Sequence, residues 1–226
     1  MLFIFFMLNV QKFTFNPLGE NTYVVWSKNK ECAIIDPGCS NSYENKILSD
    51  FIEQIQLRPI ILLNTHCHVD HVPGNHYVVE KYNIPLYISR EELPLLQSAP
   101  EVAKFFGLKC PPSPAPSGFL SEGDIWQLGE EKIKVISTPG HSPGGLSFWA
   151  EDSEWIIVGD VLFNGSVGRF DLPGSDGPTL FRSIQEKLMT LPDHVVVYSG
   201  HGPDTTIGTE RKYNPFLQNG LQGFLS

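Results

Sequence analysis

The chain has 226 residues, 41% of them hydrophobic and 18% charged, so it is long enough to bury a core and typical of a globular protein. Its formal net charge of −9 argues against nucleic acid as a main ligand, because phosphate backbones require a basic surface. No stretch is long enough to span a bilayer, and the apolar start lacks the basic region and cleavage site of a signal peptide.

The four cysteines form no C-x-x-C pair and no pattern typical of a disulfide framework, which favours a reducing compartment. We therefore expect a cytoplasmic protein. The charge and the lack of a membrane span predict neither nucleic-acid nor membrane partners, and we expect a monomer or homodimer. Residues 1–9 are predicted to be an N-terminal extension, and residues 10–226 to form a single domain.

The first half of the chain predicts short strands that alternate with helices. Strands are predicted over 10–15, 22–26, 32–35, 60–63 and 85–88. Helices are predicted over 41–56, 75–83 and 90–97. The segment 41–56 carries apolar residues at a helical period, whereas 60–63 is a short apolar run typical of a buried strand.

A proline-rich loop, residues 107–118, separates the two halves and could border a substrate. The second half repeats the plan of the first. Strands are predicted over 125–128, 132–137, 146–150, 155–158 and 195–198. Helices are predicted over 178–191 and 208–218, with a long loop over 161–177.

Residues 64–74 follow the predicted strand 60–63 and concentrate residues that bind metals. Three of the seven histidines and one aspartate occur within six positions: His66, His68, Asp70 and His71. In an extended chain, residues two apart point the same way, so His66 and His68 are able to bind one metal ion. Asp70 and His71 follow as the chain turns and can face a second ion. Imidazole nitrogens and carboxylate oxygens suit Zn²⁺ or a similar first-row ion.

Three more candidate ligands lie downstream, near the ends of predicted strands. His141 lies in a Gly/Pro-rich loop, Asp160 follows strand 155–158, and His201 follows strand 195–198. The chain therefore offers seven candidate ligands, each in a loop that a sheet can hold in place.

The order T-H-x-H-x-D-H followed by His, Asp and His resembles the metallo-β-lactamase superfamily of metal-dependent hydrolases. The resemblance implies an αββα sandwich of two mixed β-sheets flanked by helices. It implies two Zn²⁺ ions, with Fe or Mn as alternatives from ligand type. It assigns His66, His68 and His141 to the first metal, Asp70, His71 and His201 to the second, and Asp160 to a bridging position.

Asp36 begins an Asp-Pro-Gly turn after the predicted strand 32–35. The superfamily has such a turn at this point, where the carboxylate braces the metal loop, so the resemblance implies this supporting role for Asp36. The alternative is an ordinary turn residue, because Asp is favoured in turns.

Two stretches indicate one branch of this superfamily. They are residues 162–174, which follow Asp160 closely, and the tail, 199–208 with 214–217. Both are similar to the short bacterial glyoxalase II-like branch, of the hydroxyacylglutathione hydrolase type. This similarity implies a thioesterase in which a metal-bridging hydroxide attacks thioesters such as S-lactoylglutathione. The catalytic carboxylates that it implies are Asp70 and Asp160.

One departure concerns the thiol of the substrate. Longer glutathione thioesterases have Lys, an aromatic residue and Tyr at this point and a basic C-terminal helical domain, whereas this chain has Arg169, Phe170 and Asp171 and ends at Ser226. We expect Arg169 and Phe170 to contact the substrate. Asp171 would repel a carboxylate, and it can equally pair with Arg169. A small-molecule thioester is predicted, with glutathione as one candidate for its thiol.

Other activities on the same scaffold remain open. A persulfide dioxygenase uses one iron at positions that match His66, His141 and Asp160, and all three residues are present. Lactonases and β-lactamases share the metal core and differ in loops. A non-catalytic binding domain usually loses ligands, and none is lost here. A flavodiiron redox role expects Glu at the position of His68, which disfavours it.

Overall fold

The computed structural model describes residues 7–219, and its core consists of two facing six-stranded sheets with helices on both outer faces. The strands are β1 (Asn9–Phe15), β2 (Glu20–Trp26), β3 (Glu31–Ile35), β4 (Arg58–Leu63), β5 (Leu86–Ser89), β6 (Gly118–Leu120), β7 (Ile125–Leu128), β8 (Glu131–Ser137), β9 (Leu146–Ala150), β10 (Trp155–Gly159), β11 (Leu162–Phe163), β12 (Ser166–Val167), β13 (Val196–Ser199) and β14 (Thr205–Thr206). The helices are α1 (Ser42–Gln54), α2 (Asn75–Tyr82), α3 (Leu93–Phe106), α4 (Gly177–Glu186), α5 (Ile207–Tyr213) and α6 (Pro215–Asn219).

Both sheets are mixed. The first runs in the order β1-β2-β3-β4-β5-β6, antiparallel up to β3 and parallel from β3 onwards. The second runs β14-β13-β10-β9-β8-β7, and its one parallel pair is β10 with β13. Strands β11 and β12 form a separate hairpin. The predicted αββα sandwich of two mixed sheets is therefore confirmed.

Alternation along the central strands explains the layers. Val24 of β2 and Ile34 of β3 face the helices on the outside of the first sheet, and their neighbours Val25 and Ile35 face the second sheet. Because both faces of these strands are covered, the stretches 23–26 and 32–35 are continuously apolar. A third apolar cluster joins the outer face of the second sheet to α4 and α5. The apolar layer that includes Val25 and Ile35 lies between the two sheets and holds them together.

Several predicted boundaries are wrong in ways that the structure explains. The helix predicted over 90–97 is a 3₁₀ turn, Arg90–Glu92, followed by α3, which continues through Pro100 to Phe106. The single helix predicted over 208–218 is two helices, because Pro215 has no N–H to continue α5 and instead begins α6.

Other differences are local. The helix predicted over 178–191 ends at Glu186, and a 3₁₀ turn follows. The loop predicted over 161–177 contains the β11–β12 hairpin, and the proline-rich loop leads into β6.

The predicted extension, residues 1–9, lies largely outside the described residues. Within the described part, Leu8 is buried, its N–H donates to Ser153 Oγ (2.8 Å), and β1 begins at Asn9. Among residues 7–219, no helix has both the length and the apolar character needed to cross a membrane.

Candidate metal centre

The candidate ligands lie in loops that leave the ends of four strands. Residues 64–74 follow β4, residues 138–145 follow β8, and Asp160 and His201 follow β10 and β13. Strands β10 and β13 are parallel neighbours, so Asp160 and His201 leave the sheet at the same edge. The structure brings all seven predicted ligands together at this edge.

His66, His68 and His141 form the first group. One nitrogen from each ring lies within 4.8 Å of the others, and His68 Nδ1 is 2.8 Å from His141 Nε2. His66 and His141 are almost fully buried, and His68 is partly exposed. This convergence is the one expected for three ligands of a single ion.

Asp70, His71 and His201 form the second group. Asp70 Oδ2 is 3.1 Å from His201 Nε2 and 3.8 Å from His71 Nε2. His71 is fully buried, whereas the side chain of His201 is 26% exposed, which leaves this group open to solvent on one side.

Asp160 lies between the two groups. Its Oδ2 is 3.6 Å from His141 Nε2 and 3.5 Å from His201 Nε2, and its Oδ1 is 3.5 Å from His71 Nε2. One carboxylate therefore faces ligands of both groups, as a bridging ligand must.

Asp36 holds the loop that carries the first ligands. It accepts hydrogen bonds from Thr65 N (2.7 Å) and Thr65 Oγ1 (2.5 Å), and its Oδ2 is 3.2 Å from His71 Nδ1. Because Thr65 Oγ1 donates to Asp36, it can accept from His66 Nδ1, which is 3.0 Å away. These contacts fix the ring orientations of His66 and His71 with Nε2 facing the centre.

Backbone carbonyls orient two further rings. His141 Nδ1 is 2.8 Å from the carbonyl oxygen of Arg169, and His201 Nδ1 is 3.1 Å from that of Gly19. Each carbonyl accepts the Nδ1 proton, so the lone pair of Nε2 points into the centre.

The inner atoms lack protein partners. His66 Nε2, His71 Nε2 and Asp160 Oδ1 are buried and have no hydrogen-bond partner among the described residues. Buried polar atoms are costly without a partner, and a cation would satisfy all three. Asp36 also lies near His66 and His71, but its carboxylate already accepts from Thr65. Nitrogen and oxygen donors in this arrangement fit two first-row metal ions.

The two groups differ in electrostatics. Burial and the adjacent imidazoles lower the pKa of His66, and the same effects lower the pKa of His68 to about 4. Burial also lowers the pKa of His141. In the second group burial acts in the same direction, but nearby carboxylates outweigh it and raise the pKa of both His71 and His201.

The two acidic ligands stay ionised. Burial alone would raise the pKa of Asp160, but His71 and the other imidazoles hold it far below the usual range. The pKa of Asp70 is likewise lowered by His71 and His201 against the effect of burial. Both carboxylates are therefore available to a cation at neutral pH.

The predicted substrate residues lie beside the centre, in the loop after Asp160. Arg169 makes a double contact with Asp171, with Nε–Oδ1 and Nη2–Oδ2 distances of 2.9 Å, and both side chains are 66% exposed. Phe170 is half-buried and packs edge-on against Phe181 of α4. The predicted pairing of Arg169 with Asp171 is therefore observed, and the contact of Arg169 and Phe170 with a substrate stays a prediction.

Sequence reasoning missed polar residues that hold the loops from a distance. Asn21 Nδ2 donates to the carbonyls of Ser199 and Gly202, on both sides of His201. Asn16 Nδ2 donates to the carbonyl of Asp70 (2.9 Å). Partners that lie 54 or more positions away leave no local pattern, so no sequence signal could have identified them.

Comparison with known proteins agrees with this geometry. A family model described as the metallo-beta-lactamase superfamily matches residues 15–201, and the chain belongs to this superfamily. Membership confirms the predicted class, the metal-dependent hydrolases.

Individual relatives cover nearly the whole chain. The chain is 38% identical to the probable metallo-hydrolase YqgX of Bacillus subtilis, over 89% of this chain and 93% of that protein. It is 36% identical to the hydroxyacylglutathione hydrolase GloC of Haemophilus influenzae, over 94% of this chain and 99% of that protein. Among solved structures, TTHA1623 in a di-iron-bound form is 39% identical with a TM-score of 0.83, over 92% of this chain and 100% of that chain.

Proposed function

We propose that this protein is a thioesterase of the glyoxalase II type that hydrolyses S-lactoylglutathione-like thioesters with two metal ions. The observation that carries the proposal is the convergence of all seven ligands around buried atoms without protein partners. The similarity to the hydroxyacylglutathione hydrolase GloC, which extends over 94% of this chain, supports the thioesterase reading.

In the proposed mechanism, His66, His68 and His141 would hold one ion, and Asp70, His71 and His201 would hold the other. Asp160 faces both groups and would serve as a ligand to either ion. The chemistry that bound ions would supply is a water of lowered pKa and a polarised carbonyl group.

Residues around the candidate ligands hold the imidazole rings in position. Asp36 and the carbonyls of Arg169 and Gly19 keep Nε2 of three rings directed inward. The ionised carboxylates of Asp70 and Asp160 face the partly exposed His201, where the acyl group of a substrate can enter. No side chain is required as a covalent nucleophile in this scheme.

Recognition of the thiol part of the substrate would depend on residues outside the metal centre, such as Arg169. The backbone carbonyl of Arg169 contacts His141, and the charge of its exposed side chain is already paired with Asp171. A glutathione carboxylate would have to compete with Asp171 for this guanidinium group. We therefore propose a thioester substrate in which the acyl end, near the metal ions, contributes more to recognition than a carboxylate of the thiol.

A persulfide dioxygenase is the second candidate. Its single iron would take His66, His141 and Asp160, which also converge here. The relative TTHA1623 has been solved in a di-iron-bound form, which supports iron as the metal but not a single ion. The second group of ligands favours the hydrolase, because a mononuclear site would leave Asp70, His71 and His201 without a role.

The metal content of the purified protein and two activity assays separate these candidates. About two ions per chain with hydrolysis of S-lactoylglutathione would support the thioesterase. One iron per chain, with oxygen uptake on glutathione persulfide and no thioester hydrolysis, would establish the dioxygenase instead. The Asp160→Ala variant is expected to lose turnover, and undiminished turnover would contradict the assignment of Asp160.

A further inference from the structure

Glu92 connects the two loops that carry the first group of ligands. Its side chain is fully buried at the start of α3. Glu92 Oε2 accepts from the backbone N–H of Cys67 (2.7 Å), and Oε1 accepts from that of Gly144 (2.7 Å). Cys67 lies between His66 and His68, so one carboxylate binds the loop after β4 and the loop after β8 at once.

These loops leave different sheets, so no pairing between β4 and β8 fixes their separation, and contacts between the loops must do so. Leu146 N donates to the carbonyl of Thr65 (2.8 Å), at the residue where β9 begins. Glu92 adds a second link, at Cys67 and Gly144, two positions along the chain from Thr65 and Leu146. Gly144 packs so tightly there that a Cβ would lie 2.9 Å from Glu91 Cβ and 3.0 Å from Ser89 Cβ.

We propose that Glu92 is a positioning residue that sets the distance between the loop of His66 and His68 and the loop of His141, and thereby the geometry of the first metal site. A carboxylate suits this task because both of its oxygens accept, and two backbone N–H groups face them. This inference rests on the proposed metal site and is independent of the thioester substrate.

The Glu92→Gln variant tests the proposal. An amide has only one acceptor oxygen, so whichever way it turns, its NH₂ faces one of the two N–H groups. The matched control is Glu44→Gln, because Glu44 also accepts two backbone N–H groups, from Asn16 (3.0 Å) and Ser40 (2.7 Å). Both proteins and the wild type are titrated with Co²⁺ against a competing chelator, with the visible spectrum recorded.

We expect Glu92→Gln to weaken one of two Co²⁺ affinities by about tenfold or more and to change the spectrum, while Glu44→Gln changes neither. In a His68→Ala background, where the first site is already lost, Glu92→Gln should cause no further loss. Unchanged affinities in Glu92→Gln, or an equal loss in Glu44→Gln, would overturn the proposal.

A second measurement does not depend on the folding of a variant. Amide hydrogen exchange of the metal-free wild type should show protection at Cys67 and Gly144, because Glu92 holds both amides before any ion binds. Rapid exchange at both amides would refute the positioning role. A wild type that binds two ions but hydrolyses no thioester would refute the proposed function and leave this inference standing.

Discussion

Gly200, just before the ligand His201, shows how closely single residues are fitted around the centre. A Cβ at this position would overlap Asp160 Oδ1 and lie 2.8 Å from His71 Cε1. We therefore expect Gly200→Ala to displace Asp160 and to lower kcat/KM by about 100-fold, since misplacement near 1 Å costs this much. Thioester hydrolysis and metal content provide the measurement.

The control for Gly200→Ala is Gly208→Ala in α5. A Cβ there would lie 2.8 Å from Asp193 Cβ, so this variant introduces comparable crowding away from the ligands. It should keep full metal content and near wild-type turnover. Equal turnover in the two variants would show that the close approach of Gly200 to Asp160 has no importance for catalysis.

The pair of Arg169 and Asp171 leads to a prediction about substrate binding. Asp171→Ala frees the guanidinium group for a carboxylate of the substrate, so we expect the KM for S-lactoylglutathione to fall several-fold. The pair is exposed, so Tm should not change measurably. The charge-matched control is Asp50→Ala, which removes the exposed partner of Lys46 on α1. Equal KM values in both variants would exclude Arg169 from substrate binding.

At the scale of elements, the β11–β12 hairpin follows Asp160 and is held by the end of α5. Buried Asn214 donates through Nδ2 to the carbonyl of Ser166 (2.9 Å) and to Glu210 Oε2 (2.8 Å). Glu210 in turn accepts from the backbone N–H of Gly165 (2.9 Å). The two side chains therefore fix the hairpin that continues the chain from Asp160.

Asn214→Ala should destabilise the protein by about 1–3 kcal/mol, because it leaves buried polar groups without partners. The loss should appear as a lower urea midpoint with unchanged slope, and turnover should fall because the hairpin adjoins Asp160. Gln218→Ala is the control, since its side chain makes an exposed bond to the carbonyl of Arg211. Equal urea midpoints for the two variants would refute the role of Asn214 in holding the β11–β12 hairpin.

Local patterns predicted most elements of this fold. The apolar period of 41–56 gave α1 to within two residues at each end, and Asn41 caps it by accepting from two backbone N–H groups. A single helix was predicted across Pro215, whereas the structure has two helices that meet there. The three-residue strand β6 was missed, since it pairs with the distant β5 and is too short to show a period.

The sequence also predicted only part of the candidate site. The ligands could be predicted from spacing and order, because His66 to His71 are close in sequence and the others follow strands. Glu92 and Asn21 could not, because each acts through hydrogen bonds to residues 25 or more positions away. The contact of Arg169 with Asp171 is visible only in the structure, and substrate binding by Arg169 stays a prediction.

At the scale of the whole molecule, each sheet supplies part of the centre. Loops of the first sheet carry His66, His68, Asp70 and His71, and loops of the second carry the remaining three ligands. Both proposed metal sites combine ligands from the two sheets, but only in the second group do nearby carboxylates raise the pKa of the imidazoles. The two sites should therefore respond differently to acid.

The sign of this response follows from the pKa shifts. His71 and His201 have raised pKa values, so in the metal-free protein protons compete with metal at neutral pH. His66, His68 and His141 have lowered pKa values, about 4 for His68, so they stay neutral and keep their ion as pH falls. As pH is lowered from about 8 to about 5, the second ion should leave first.

Equilibrium dialysis at stepped pH, with metal analysis of the protein, should show about two ions per chain, then a plateau near one, then none. The His201→Ala variant should begin near one ion and show only the release at lower pH, whereas His68→Ala should lose that release and keep the one at higher pH. Release of both ions in a single step would mean that Asp160 couples the sites too strongly for either to hold an ion alone. Release of the first ion ahead of the second would show that the carboxylates around His71 favour the metal ion over the proton.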